Sequence, residues 1–257
     1  MSQQRPALCD IMPYRKEQFV NNEIYHVVLR AIDDNVIFKN QDDYYRGIFS
    51  LYEFNNINPT TIRYRREARL REKNLQSIVR NSISRDPLSA DDKRDKLVEV
   101  LSFCLMPNHP HLLLLQLKDE GITKFMMKFG AGYGGYFNRK YNRKGHVFQN
   151  RFSSTHIKND EQLKTVFVYI HTNPISLIEP KWKEKGIKDP EKVIKFLENY
   201  KWSSYQDYIK KKNFPSVTER GFILKTMGGE QKCKEFVEYW VKYKEKIKKF
   251  PEFSLEE

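Results

Sequence analysis

Long apolar runs are missing from this 257-residue chain: none approaches the roughly 18 apolar residues that a membrane-spanning helix needs. Residues 1–10 lack the charged-then-apolar pattern of a secretory signal, so a cytoplasmic protein is expected. Cysteine is scarce and odd in number. Cys9, Cys104 and Cys233 lie far apart, which excludes a C-x-x-C motif, zinc-finger spacing and an evident disulfide framework, and fits a reduced compartment. Cys104 sits in an apolar run and reads as core. Internal repeats and low-complexity tracts are also lacking. Acid is missing locally: residues 121–159 hold no Asp or Glu across 39 positions.

What is present is positive charge. The formal net charge is +13 and the pI about 9.4, a balance that favours a polyanionic partner, nucleic acid ahead of an anionic membrane surface. A merely soluble basic protein could have the same balance. In the acid-free stretch, Lys124, Lys128, Arg139, Lys140, Arg143, Lys144, Arg151 and Lys158 alternate with Tyr136, Phe137, Tyr141, Phe148 and Phe152. Cations neutralise phosphates and aromatic faces stack bases, a combination suited to single-stranded nucleic acid. With Gln149 these cations are the candidate DNA-binding residues; the competing reading is a basic loop whose aromatics belong to the core.

The periodicities predict an element order. Residues 23–30 read as a strand, broken at Asp33-Asp34-Asn35. Asp42 is the expected N-cap of a helix through Phe54. Residues 58–94 are a composition shift with a basic helix at 62–73, read as an insertion that is either a solvated charged face or a DNA contact surface. Residues 97–106 and 109–117 form strands joined at Pro107-Asn108. A helix follows over 121–137, where Gly130, Gly132, Gly134 and Gly135 suggest a kink or hinge. A short strand ends near Ile157, and Asp160 is the expected cap of a helix that stops at Asn173-Pro174. The predicted fold is α+β: a ferredoxin-like or RRM-like antiparallel sheet with helices mainly on one face, plus a basic helical insertion and a C-terminal helical tail. The expected organisation is an arm at 1–20, a domain at 21–210 with the insertion at about 58–94, and a basic helical extension at 211–257.

Two histidines mark the chemistry. His109 and His111 flank one residue in a strand, so both project from one face and suit a divalent metal. Two ligands are too few for a site, and H-x-H alone is also what two ordinary strand histidines look like. Tyr169 and Asn173 stand four apart and share a helix face. A tyrosine hydroxyl can attack a phosphodiester that a metal polarises, and an amide oxygen one turn away can ligate; in isolation such a tyrosine is more often a packed core residue.

Five motifs occur in order: Tyr-His-Val-Val-Leu-Arg at 25–30, Met-Pro-Asn-His-Pro-His-Leu-Leu-Leu at 106–114, Phe-Gln-Asn-Arg-Phe at 148–152, Tyr-Ile-His-Thr-Asn-Pro-Ile at 169–175 and Trp-Ser-Ser-Tyr at 202–205. This set resembles the IS200-like single-tyrosine HUH transposases, nearest to the REP-associated (RayT-like) branch, over about residues 20–210. The resemblance implies a metal-dependent single-strand DNA endonuclease and strand transferase acting on hairpin or REP-like DNA through a 5′-phosphotyrosine. It implies His109, His111 and Asn173 as ligands of Mg²⁺ or Mn²⁺, Tyr169 as nucleophile, and a monomer or homodimer with no membrane partner. Pro110 departs from the usual bulky apolar residue between the histidines. The alternatives are a non-catalytic, domesticated hairpin or single-strand binder, and a metal-dependent hydrolase using activated water.

Overall fold

A computed structural model describes residues 18–59, 94–149 and 151–243. Most of the expected arm, nearly all of the 58–94 insertion with its basic helix, and residues 244–257 lie outside the described residues, as do Cys9 and Asn150.

Four strands form one antiparallel sheet: β1 (Ile24–Val28), β2 (Val98–Met106), β3 (His109–Gln116) and β4 (Ser153–Ile157), in the spatial order β2-β3-β1-β4. Helix α1 (Gln41–Glu53) connects β1 to β2, and α2 (Gly121–Lys140) connects β3 to β4. This βαββαβ order with β1 and β3 central is the ferredoxin-like layout expected. The two-residue connection Pro107-Asn108 joins β2 to β3, pairing Met106 with His109 and Cys104 with His111.

Strand alternation divides the core in two. Tyr25, Val27, Leu112 and Leu114 join one cluster with Ile48 and Leu51 of α1 and Phe125, Phe129 and Tyr133 of α2. A register shift between Val100 and Ser102 switches the alternation of β2: Val98 and Val100 before it and Phe103 and Leu105 after it join that cluster, and Leu101, Cys104 and Met106 the other. On the other side, Leu113 meets α3 (Asp160–Thr172) through Val166, Phe167 and Ile170.

Behind α3 lie a 3₁₀ turn (Asn173–Leu177), α4 (Trp182–Lys185), α5 (Pro190–Asn199), α6 (Tyr205–Tyr208), α7 (Gly221–Met227) and α8 (Glu230–Tyr243). The expectation of helices mainly on one face is therefore corrected: helical layers cover both faces. The physical reason lies in the central strands, which are buried at almost every position, as a sheet covered on both sides requires. Cys233, Val237 and Val241 of α8 share the α3 core, so the described part of the C-terminal extension is built onto this second layer. No helix among the described residues is long and apolar enough to cross a membrane.

Helix starts differ by one or two residues from expectation. Asn40, not Asp42, caps α1: its side chain accepts from Asp43 N at 3.2 Å while Asp43 Oδ2 accepts from Asn40 N at 3.3 Å, a reciprocal capping box. Asn159, not Asp160, caps α3, accepting from Gln162 N at 2.8 Å. Both asparagines hold extended backbone, which leaves the acids in the first turn, where the helix dipole favours them.

The α2 glycines serve packing. The helix runs unbroken from 121 to 140, and a Cβ on Gly132 would lie 2.2 Å from the Phe54 ring.

Candidate functional site

The site lies on the α3 side of the sheet, at the end where the β2–β3 hairpin turns. On β3, His109, His111 and Leu113 alternate with Pro110, Leu112 and Leu114, so both histidines point away from the α1/α2 core. Pro110 does not disturb this. Leu29 N donates to Pro110 O at 3.4 Å, and the bond that proline cannot return falls at the outer end of the β1–β3 ladder, where its loss is tolerated.

The two ring nitrogens converge. His109 Nε2 and His111 Nε2 are 2.9 Å apart. Adjacent ligands about 2.1 Å from one octahedral cation lie about 3 Å apart, so the pair fits a shared Mg²⁺ or Mn²⁺. Each Nδ1 is engaged elsewhere: that of His109 with Asn108 Oδ1 at 2.7 Å, that of His111 with His26 Nε2 at 3.1 Å. Burial holds the His111 pKa well below the usual imidazole value. The charges of His109, His26, Arg30 and Lys183 push it the same way, which keeps the ring neutral, as ligation needs.

Helix α3 brings Tyr169 over this pair. Leu163, Val166, Phe167 and Ile170 anchor the helix in the core, leaving Tyr169 partly buried at the margin. Its ring stands edge-on to His111 at 5.6 Å and to His26 at 5.8 Å between centroids. One chain thus assembles the histidines and the tyrosine. Asn173, buried at the end of α3, gives its Nδ2 to Tyr169 O at 3.0 Å, so Oδ1 is the atom that could ligate. Among the described residues no group of three or more His, Cys, Asp or Glu is placed to hold a metal ion.

The profile of the family described as "Transposase IS200 like" matches residues 63–173, a span that takes in His109, His111, Tyr169 and Asn173. Over that span, less than half of the chain, the sequence is similar to the IS200-like transposases. Among solved structures, one described as a REP-associated tyrosine transposase bound to a REP hairpin is similar at 13% identity and a TM-score of 0.42, over 82% of this chain and 96% of that one. No curated protein matches the sequence.

The candidate DNA-binding cations fall into two groups. Lys124, Lys128 and Lys140 ride on α2, across the sheet from the histidines. Lys124 pairs with Glu120 at 3.2 Å. Lys128 Nζ donates to the carbonyls of Asn56, Ile57 and Asn58 beyond α1, and burial lowers its pKa. Lys140 Nζ meets Asp43 Oδ1 at 2.7 Å; burial opposes its charge, but this carboxylate outweighs it and raises the lysine pKa. Tyr136 and Tyr141 donate to the same carboxylate at 3.0 and 2.7 Å, so part of the basic-aromatic pattern is an internal network around a buried acid.

Arg139, Arg143, Lys144, Gln149, Arg151 and Lys158 are exposed, with Arg143 over the Phe137 ring at 5.6 Å. Gln149 and Arg151 lie in the segment leading to β4, where Gln149 N donates to Arg30 O at 2.9 Å and Ala31 bridges Phe148. That segment returns to the histidine end of the sheet, because Val28 pairs with both His111 and Ser153.

Sequence reasoning missed His26, Asn108, Arg30 and Lys183 as site residues. A signal existed for two of them: His26 and Arg30 stand four apart in an extended segment, so alternation puts them on the face of His111. The Trp-Ser-Ser-Tyr motif is structural. Leu105 N donates to Trp202 O at 2.8 Å and Ser204 N to Phe103 O at 3.0 Å, covering the open edge of β2.

Proposed function

We propose that this chain is a metal-dependent single-stranded DNA endonuclease and strand transferase that works through a 5′-phosphotyrosine, acting on hairpin or REP-like DNA. The observation that carries this reading is the convergence of His109 Nε2 and His111 Nε2 at 2.9 Å beneath the ring of Tyr169. In this reading His109, His111 and the Oδ1 of Asn173 hold Mg²⁺ or Mn²⁺. A cation held there would supply Lewis-acid stabilisation of charge on the scissile phosphate. Tyr169 Oη attacks the phosphorus, the bond to the 3′ oxygen breaks, and a 3′-hydroxyl is released. A second 3′-hydroxyl reverses the attack, so strand transfer needs no external energy source. The fixed position of Tyr169 on an anchored helix turns the attack into an intramolecular event.

The strand approaches across the histidine end of the sheet, where Arg30, Arg151 and Lys183 offer positive charge to phosphates. Arg139, Arg143, Lys144, Gln149 and Lys158 extend that contact. Lys124, Lys128 and Lys140 have structural partners and are secondary contacts at most. The catalytic unit is the 21–210 segment, with the C-terminal extension packed on it.

The test is incubation of the full chain with labelled single-stranded hairpin DNA and Mn²⁺, followed by a denaturing gel. A covalent protein–DNA adduct is expected from the wild type, and its yield from Tyr169→Phe should fall by roughly three orders of magnitude or more. Adduct at wild-type yield from that variant removes the nucleophile assignment. Hairpin binding with no cleavage by the wild type in any divalent metal favours the non-catalytic binder, and cleavage without adduct the hydrolase.

A further inference from the structure

His26 takes no part in the chemistry above, yet it is buried at 2% exposure and touches both the metal pair and the nucleophile. Its ring is nearly coplanar with that of His111, at 3°, with centroids 5.3 Å apart. At an N···N distance of 3.1 Å, that separation belongs to two rings meeting edge to edge. The contact is an in-plane hydrogen bond between His26 Nε2 and His111 Nδ1, not a face-to-face stack.

A histidine that ligates through Nε2 carries its proton on Nδ1, and a buried N–H without an acceptor is costly. His109 meets this need through Asn108 Oδ1, whose amide is oriented by its own Nδ2 donating to Asp34 Oδ1 at 3.4 Å. His111, fully buried, meets it on the neighbouring strand. We propose that His26 is a positioning residue: its Nε2 accepts the Nδ1–H of His111 and so turns the Nε2 lone pair of His111 toward His109 and the cation. This rests on the reading of His109 and His111 as metal ligands.

His26 is not placed as a third ligand, because its Nε2 faces His111 Nδ1. An imidazole in this role has a property that a carbonyl lacks. With no cation present, His26 Nε2–H donates to His111 Nδ1, and His111 Nε2–H donates to His109 Nε2 across the 2.9 Å gap. When the cation binds, His26 and His111 each move their proton to the other ring nitrogen, and the number of protons held stays the same. Every buried N–H keeps a partner among these rings in the first state, and the Nδ1–H of His111 keeps one in the second.

The test compares the full-length wild type with His26→Leu and His26→Gln. Mn²⁺ binding is read from the free-ion electron paramagnetic resonance signal. A partner of this kind is worth about ten- to a hundredfold in metal affinity, so His26→Leu should weaken Mn²⁺ binding by that factor. His26→Gln, whose amide oxygen can accept, should restore most of it. In the wild type loaded with Mg²⁺, long-range ¹H–¹⁵N correlation should show His111 protonated on Nδ1; this measurement decides the matter even where a variant fails to fold. Equal Mn²⁺ affinity in His26→Leu, or His111 protonated on Nε2 with Mg²⁺ bound, overturns the assignment while leaving the metal site standing. A wild type that takes up no Mn²⁺ overturns the metal reading itself, and the role of His26 with it.

Discussion

The two faces of β3 carry opposite instructions in alternate residues. Pro110, Leu112 and Leu114 feed a closed apolar core under α1 and α2, while His109 and His111 open the other face to chemistry under α3. The first face admits a polar side chain only at its far end, where the buried Gln116 accepts from Ile122 N at 3.2 Å; the second places two imidazoles beside the fully buried Leu113. The lesson is that the apolar face supplies rigidity to the reactive one. A strand locked by close packing on one side holds the Nε2 pair at 2.9 Å on the other.

The largest expected effect comes from exchanging damage between the faces. Leu112→Ala removes a fully buried side chain and should cost about 2–5 kcal/mol of stability, read from the urea midpoint. His109→Ala, only half-buried, should leave the midpoint within about 1 kcal/mol while abolishing metal-dependent adduct. A stable Leu112→Ala, or a His109→Ala that cleaves normally, breaks the division of labour.

The glycines of α2 sharpen it further. Alanine at either position gains about 1 kcal/mol of helix propensity over glycine. At Gly132 the new methyl meets the Phe54 ring, and overpacking of about 1–3 kcal/mol should outweigh the gain. At Gly135 the nearest foreign atom is the flexible tip of Arg139 at 3.4 Å, so Gly135→Ala should stabilise by up to about 1 kcal/mol. A hinge would give losses of activity at both positions with little change in melting temperature.

Much of this was legible in advance, and the misses have physical causes. Apolar and β-branched runs bounded by turn residues gave the four strands, the two-residue connection gave the hairpin, and H-x-H placed both histidines on one face. The second helical layer was not legible because Leu112, Leu113 and Leu114 run together, and a continuous apolar run does not say which face is covered. Lys128 and Lys140 read as phosphate contacts because their partners, the carbonyls beyond α1 and Asp43, are about 70 and 97 residues away in sequence. His26 escaped notice because its partner lies on a strand 85 residues later.

A buried histidine outside the site gives a pH-dependent comparison. His171 Nε2 lies 2.8 Å from Ser204 Oγ, and burial lowers its pKa to about 3, slightly opposed by the Phe167 backbone. The folded value lies below the unfolded one, near 6.5, so the unfolded chain binds the extra proton. The stability this group contributes is present above pH 6.5 and is lost as the pH falls toward about 3, with a slope of up to about 1.4 kcal/mol per pH unit. His171→Gln should flatten the stability profile between pH 6 and 4, measured by urea unfolding; the buried His111 and the lowered carboxylates of Asp43 and Glu198 contribute to the slope that remains. An unchanged profile would mean that His171 is not held neutral.

The smallest effects concern the cations, and they bear most directly on where DNA lies. Removing a single lysine or arginine that neutralises a phosphate should lower the slope of log affinity against log salt by about 1. Arg30→Ala and Lys183→Ala, at the histidine face, should each weaken hairpin binding several-fold and reduce that slope. Lys140→Met should leave the slope unchanged and cost about 1–3 kcal/mol of stability, because Asp43, whose side chain has no exposed surface, is deprived of its charged partner. The reverse pattern would move the strand to the α2 face, away from Tyr169. A chain that bound there could hold a hairpin but could not cut it, so the salt slopes of three single variants separate a strand path through the reactive face from simple attraction to a basic surface.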